Sequence, residues 1–209
     1  MPRSYTLSDD ARAGREARKQ ATRRALMDAA RTLAAERGVE GVSVVEVGRR
    51  AGVSHSLINA YFDGKAGLIA AVVKEFNAPQ VLSTISIADG AGSAEDRLRG
   101  ILLGWARFDL ADVQLLRVLQ AHSWNWSAAA EAENREDRQA LLAPLGRVVQ
   151  SGQAEGRFRP ELALEDALPA IWAIYTMGMR DAVFDDPVRS PEQAVAAIWG
   201  QIAALLSVR

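Results

Sequence analysis

Apolar residues recur every three or four positions along most of this chain, with little of the alternation that marks strands, so the pattern predicts helices throughout. Leu26, Ala29, Ala30 and Leu33 form one such face, closed by Gly38 as a C-cap. Ahead of it, residues 1 to about 14 combine Pro2, Ser4, Ser8, Asp9, Asp10 and Gly14 and predict a poorly ordered arm. Leu68, Val72 and Phe76 mark a helix that opens at Asp63 or Gly64 and is limited or kinked by Pro79. A soft segment at 87–93 reads as a loop. Ser93 with Asp96 then opens a helix with Leu98, Ile101, Leu102 and Trp105 inside, and Asp112 opens another with Leu115, Leu116 and Leu119 inside. A long amphipathic segment from about Glu131 to Ala154 is expected to break or bend near Pro144, before a turn at 156–160. Two helices finish the chain. The first, about 164–184, carries Leu168, Ile171, Trp172, Tyr175 and Met179 on a broad stripe. The second has Ser190 as cap, Pro191 at its first position and Gln193 at its third, with Ala194, Val195, Ile198, Trp199, Ile202, Leu205 and Leu206 as its stripe.

The most informative stretch runs from Ser43 to Lys65. It reads as two short helices joined by a glycine turn. Ser43 is placed to cap the first, with Glu46 three positions on completing a capping box. Gly52 supplies the positive φ that a tight interhelical turn demands. Ser54 is placed to cap the second helix, whose exposed face would carry His55, Ser56 and Asn59. Small polar side chains at a helix N-terminus suit the reading of base edges in a major groove. Val44, Val47, Val53, Ile58 and Phe62 are the expected core of the unit.

With those residues in hand, positions 20–70 resemble the DNA-binding domain of the tetracycline-repressor (TetR-like) family of bacterial one-component regulators. The matching register runs through Arg37-Gly38, Gly41, Ser43, Val47, Ala51-Gly52-Val53-Ser54, Ile58, Tyr61-Phe62, Lys65 and Leu68. Leu57 and Asn59-Ala60 depart from the residues common there, so no operator sequence carries over. The resemblance implies an all-α fold. Residues 1–65 would be a three-helix DNA-binding domain with a basic arm and a helix-turn-helix at about 43–62. Residues 66–209 would be a helical ligand-binding and dimerisation domain. It also implies backbone-phosphate contacts from Ser43, Tyr61 and Lys65, to which the basic run before the first helix adds Arg23 and Arg24. Packing on the first helix is the competing role for Tyr61, and a solvated face is the competing role for the arginines.

Charge supports this division. Residues 1–76 hold 13 Lys/Arg against 9 Asp/Glu, giving +4, and residues 77–209 hold 12 against 17, giving −5. A basic head on an acidic body fits nucleic-acid binding at one end only. No cysteine is present, which excludes a disulfide framework and a thiolate metal site. No apolar run is long enough for a bilayer, which takes about 20 residues, and no secretory signal is visible, so a soluble cytoplasmic protein without membrane contact is expected. His55 and His122 lie far apart, and neither a phosphate loop nor a metal-ligand spacing accompanies them. An enzyme is therefore not expected, nor any cofactor or metal.

All five tryptophans lie beyond the head. Trp105, Phe108, Trp124, Trp126, Trp172 and Tyr175 fall on helices that enclose the ligand cavity in TetR-like proteins, where aromatic walls suit an apolar or aromatic effector, neutral or cationic. Core packing is the competing role for each. The stripes of the last two helices are wider than one neighbour requires. Gly178, Ile198, Trp199, Ile202 and Leu205 are the expected homodimer interface, an intersubunit four-helix bundle. The function expected is a regulator, repressing from a double-stranded operator and released by a small effector. The helix from Lys65 to about Pro79 would serve as hinge. A DNA-binding or organising protein without an effector is the alternative, with a helical enzyme ranked below it.

Overall fold

The computed structural model describes residues 9–39, 41–122 and 128–208. Among them the chain forms α1 (Asp9–Arg37), α2 (Val44–Ala51), α3 (Ser56–Phe62), α4 (Lys65–Ala88), α5 (Ala94–Leu110), α6 (Val113–His122), α7 (Ala128–Ala154), α8 (Leu164–Phe184) and α9 (Pro191–Leu206). The only β-type pairing among the described residues is an isolated bridge between Phe158 and Ser207. The chain is all-α, as its periodicity predicts.

Two compact units form. The first is built on residues up to Val73, the second on residues 74–121 and 131–209, and the division falls within α4. In the first unit, α1 starts at Asp9 rather than near residue 15, because Ala11, Arg12, Ala13 and Arg15 all favour helix and outweigh the single Gly14. Leu26, Ala30 and Leu33 of α1 are completely buried, as are Val47 of α2 and Ile58 of α3. Val44 and Val53, expected in the core, are only half-buried, while Val39 and Val42 take interior places.

The second unit packs one apolar core from α5, α7, α8 and α9. Its members include Leu98, Ile101 and Leu102, then Leu145 and Val148, then Ile171 and Met179, then Ile198 and Ile202. Local signals place the helix starts. Ser93 accepts from the Asp96 amide while Asp96 accepts from the Ser93 amide, and Ser190 with Gln193 forms the same reciprocal pair. Asp112 caps α6 by accepting from the Leu115 amide at 3.0 Å.

Neither Pro79 nor Pro144 ends its helix. α4 continues through Pro79 to Ala88, nine residues farther, and α7 continues through Pro144. Pro79 lies on an exposed face with Glu75 and Ala78, so the carbonyl that loses its i+4 partner can turn to water. The loop expected from Ile87 begins only at Asp89.

Candidate nucleic-acid interface and the polar core of the body

The glycine turn sets the helix-turn-helix unit. Gly52 caps α2 at φ 70°, in the left-handed region, and its amide reaches the Arg49 carbonyl. The chain then crosses Val53 and Ser54 into α3. Gly48 is the partner the sequence did not single out. A Cβ there would lie 2.8 Å from the His55 amide nitrogen and 2.9 Å from its Cα, so only glycine lets α2 approach the start of α3 this closely. At the far end of α3, Asp63 at φ 56° and Gly64 at φ 95° reverse the chain into α4. A Cβ on Gly67 would overlap the Phe62 carbonyl. Four glycines and one left-handed aspartate thus fix both ends of a helix only seven residues long.

The caps differ from expectation. Ser43 stands in extended backbone ahead of α2 but makes no side-chain cap bond. Glu46 instead accepts from Arg37 at 2.8 Å and pairs with Arg49 at 3.4 Å. Its carboxylate thus ties α2 to the end of α1, a stronger charged partner than a backbone amide. Ser54 does not close a standard cap either. Its hydroxyl lies 2.8 Å from that of Ser56 and accepts weakly from the Ser56 amide at 3.4 Å. A second clamp joins Arg50 to Glu36 through two bonds of 2.9 and 2.8 Å. The Glu36 carboxyl is held below its ordinary range, first by the hydrogen bond from Arg50.

On this frame, His55, Ser56 and Asn59 are all exposed. Their spacings of three and four residues put Asn59 on one face with both of the others. Of the expected phosphate-contact residues, Ser43 and Arg24 are exposed, while Tyr61 and Lys65 are half-buried. Lys65 is the first residue of α4. Arg23 is half-buried with its guanidinium 5.1 Å from the centre of the Phe62 ring, so it also braces α1 against α3. Tyr61 meets Phe62 edge to face at 6.5 Å.

In the body, Trp105 and Tyr175 are each only 2% exposed. The ring of Trp105 sits 5.3 Å from Tyr175 and 5.9 Å from Trp172, and Trp172 lies 6.1 Å from Tyr175. Phe108 packs on Phe76 at 4.6 Å. Trp124 and Trp126 lie outside the described residues. The sequence reading missed the polar chain behind these rings. Trp105 Nε1 donates to Thr84 Oγ1 at 2.7 Å, and Thr84 Oγ1 donates to the Gln80 carbonyl at 2.6 Å. Gln80 Nε2 donates to Asp109 Oδ1 at 2.9 Å, and the Tyr175 hydroxyl donates to Asp109 Oδ2 at 2.6 Å. Burial pushes the Asp109 carboxyl up to about 6, against the opposing pull of the Tyr175 and Gln80 bonds. Burial also holds the Tyr175 hydroxyl well above its ordinary value, with the Asp109 charge adding to it. The signal was available in the sequence, since Asp109 follows Leu102 by seven and Trp105 by four and so lies on the buried stripe of α5.

The expected interface residues divide. Gly178, Ile198 and Ile202 face the subunit's own interior. A Cβ on Gly178 would collide with the Ile198 side chain, Ile198 is 3% exposed and Ile202 is fully buried. The close approach foreseen at Gly178 is therefore between α8 and α9 of one chain. Trp199 and Leu205 are half-buried, and Arg99 lies 4.1 Å over the Trp199 ring. The apolar surface left exposed on α8 includes Met177 and Phe184. Beside these, α9 exposes Ala197, Gly200, Gln201 and Ala204.

Among the described residues, no group of three or more His, Cys, Asp or Glu could hold a metal ion, and no helix is long and apolar enough to cross a membrane. Comparison with known proteins bears on the whole arrangement. Residues 26–72 match the family described as bacterial regulatory proteins, tetR family. The HTH-type transcriptional regulator BetI of Escherichia coli (strain K12 / DH10B) is 36% identical over 85 residues, 39% of this chain and 43% of BetI. The chain thus matches under half the length of this curated relative. Among solved structures, a TetR-family regulator from Shewanella sp. PV-4 has a TM-score of 0.71 at 19% identity, covering 90% of this chain and 99% of that one. FadR of Bacillus subtilis, solved in complex with stearoyl-CoA, has a TM-score of 0.76 at 18% identity, covering 87% and 97%. The head at residues 26–72 carries the sequence of the tetR family of bacterial regulatory proteins, and the fold of the chain follows that of TetR-family regulators over most of its length.

Proposed function

We propose that this protein is a sequence-specific DNA-binding transcriptional regulator, acting as a homodimeric repressor that a small apolar or aromatic effector releases from its operator. One observation carries the reading above the rest: α3 is anchored at both ends and leaves His55, Ser56 and Asn59 exposed on its outer surface. Asn can bond bidentately to adenine, and His can donate to guanine or to phosphate. Ser43, Tyr61, Lys65, Arg23 and Arg24 then register the head on the backbone. Residues 1–65 serve as head and residues 66–209 as body, with α4 common to both. An effector acts only through unequal affinity for DNA-competent and DNA-incompetent forms, and α4 is the segment that would transmit it.

The ring cluster of Trp105, Trp172 and Tyr175, with Phe108 nearby, supports an aromatic-walled effector site. The fold likeness to FadR, solved with stearoyl-CoA, supports a small-molecule effector of apolar character. Binding titrations of duplex DNA across a salt series test the head. Lys65→Ala should lower affinity on every sequence and flatten the salt slope by about one unit, as the loss of one phosphate contact does. An unchanged slope removes Lys65 from the phosphate set.

For the dimer, the surface available on α8 and α9 is Met177 with Ala197, Gly200 and Ala204, whose small side chains allow close helix approach. Met177→Asp combined with Ala204→Asp should give folded monomers in sedimentation, with duplex affinity sharply reduced. A variant that sediments as a dimer places the interface on another face.

A further inference from the structure

We propose that Asp109 and the Trp105–Trp172–Tyr175 ring cluster form the anchoring site for an apolar organic cation, a protonated amine or quaternary ammonium carrying hydrocarbon bulk. The proposal rests on the reading of the body as the effector-binding part and names the chemical class of that effector.

Three features converge. The Asp109 carboxyl is enclosed between α4, α5 and α8, yet both of its hydrogen-bond donors are neutral, Gln80 from α4 and Tyr175 from α8. No ion pair to Asp109 is found among the described residues, and no charged neighbour contributes to the displacement of its proton affinity, which burial dominates. A buried carboxylate without a cation is costly. The group therefore suits a partner that arrives with positive charge.

The surrounding chemistry matches that partner. The indole of Trp105 and the phenol of Tyr175 meet edge to face, at 76°, beside the Trp172 ring. A cation near such faces gains from the ring quadrupoles, most of all where water is excluded. The neutral donors orient the carboxylate without neutralising it. The Trp105–Thr84–Gln80 chain extends that orientation, since Gln80 gives its amide to Asp109 while its backbone carbonyl holds Thr84, and Thr84 holds Trp105. Asp109, Phe108 and Trp172 are each half-buried. Neutral ligands of the same shape would satisfy the aromatic walls but leave the carboxylate unpaired. Anionic ones would be repelled.

The test uses the full chain and three probes with one hydrocarbon body: phenylbutylamine, phenylbutanol and phenylbutyrate. Binding is followed by tryptophan fluorescence and calorimetry, with release of bound duplex DNA measured in parallel. At about pH 8 the amine should bind at least ~10-fold more tightly than the alcohol, the ratio expected of one enclosed ionic contact, and the butyrate more weakly still. Asp109→Asn should abolish the preference for the amine and leave alcohol binding within about twofold, with its folding checked by thermal melt. Asp109→Glu, which keeps the charge, should retain part of the preference. Equal binding of amine and alcohol to the unaltered protein, or a preference that survives Asp109→Asn, overturns the cationic assignment. If the alcohol alone binds and releases DNA, the body remains an effector site and only the charge class is wrong. If none of the three binds, both the assignment and its aromatic site are refuted.

Discussion

Ile198→Asp is expected to unfold the second unit rather than to separate a dimer. The residue is 3% exposed and packs against Gly178, where α8 and α9 come too close for a Cβ on the glycine. A carboxylate there would lose its water, and none of the residues packed around it in the core cluster carries a positive charge. An uncompensated buried charge costs about 3–5 kcal/mol, and the lost aliphatic packing adds about 2 kcal/mol more. Natural domains are stable by only about 5–15 kcal/mol, so most of the folding free energy would go. Urea unfolding followed by circular dichroism should show a large fall in the midpoint of the body's transition. A variant that melts like the unaltered protein, but as a monomer, would mean that Ile198 faces a partner after all.

The second large effect has the opposite sign and depends on pH. The Asp109 carboxyl is raised from its ordinary 3.8 to about 6 in the folded protein. The folded state therefore holds this proton more tightly than the unfolded state does. That contribution to stability is fully present below pH 3.8 and is lost as pH rises towards 6, beyond which the cost of the buried charge is constant. The shift of about two units corresponds to roughly 3 kcal/mol at most. The groups facing the carboxyl, Gln80 on α4 and Tyr175 on α8, are neutral across this window. Asp109→Asn should accordingly be more stable than the unaltered protein at about pH 8, by up to ~3 kcal/mol, with the gain shrinking towards about pH 4. Imperfect pairing of the new amide with two donors would reduce that gain. Urea titrations at both ends of the range measure it. A difference independent of pH would show that the carboxyl titrates as an ordinary surface group. A stabilising substitution at a functional position is what a binding site maintained at the expense of the fold should show.

Much of the fold was legible because its signals are local. The reciprocal caps at Ser93–Asp96 and Ser190–Gln193, and the left-handed turn at Gly52, involve residues within one helical turn of each other. Where a distant partner competes, local reading fails. Glu46 sits at the right spacing for a capping box with Ser43, but the Arg37 guanidinium from another helix takes its carboxylate. Pro79 carries a breaker's chemistry, yet its exposed position lets α4 pass through it.

The exposed face of α3 could be read from sequence because exposure there follows from helix phase. The glycines beneath it could not, since the need for Gly48 and Gly67 arises only when neighbouring elements pack against them. Gly178 shows the same limit in reverse. Its small size correctly signals a close helix contact, but a sequence cannot say whether the second helix belongs to the same chain. The spacing of Asp109 from Leu102 and Trp105 puts it on the buried stripe of α5, but only packing brings Gln80 and Tyr175 to its two oxygens.

Base reading by α3 is the central claim, and Asn59 tests it most directly. Duplexes selected from a random pool by the full protein supply the specific site, and scrambled versions supply the nonspecific reference. Asn59→Ala should weaken binding to the selected duplex by about 1–3 kcal/mol, the discrimination carried by one bidentate side chain, while affinity for the scrambled duplex stays nearly constant. Equal losses on both duplexes, or none on either, would contradict the account.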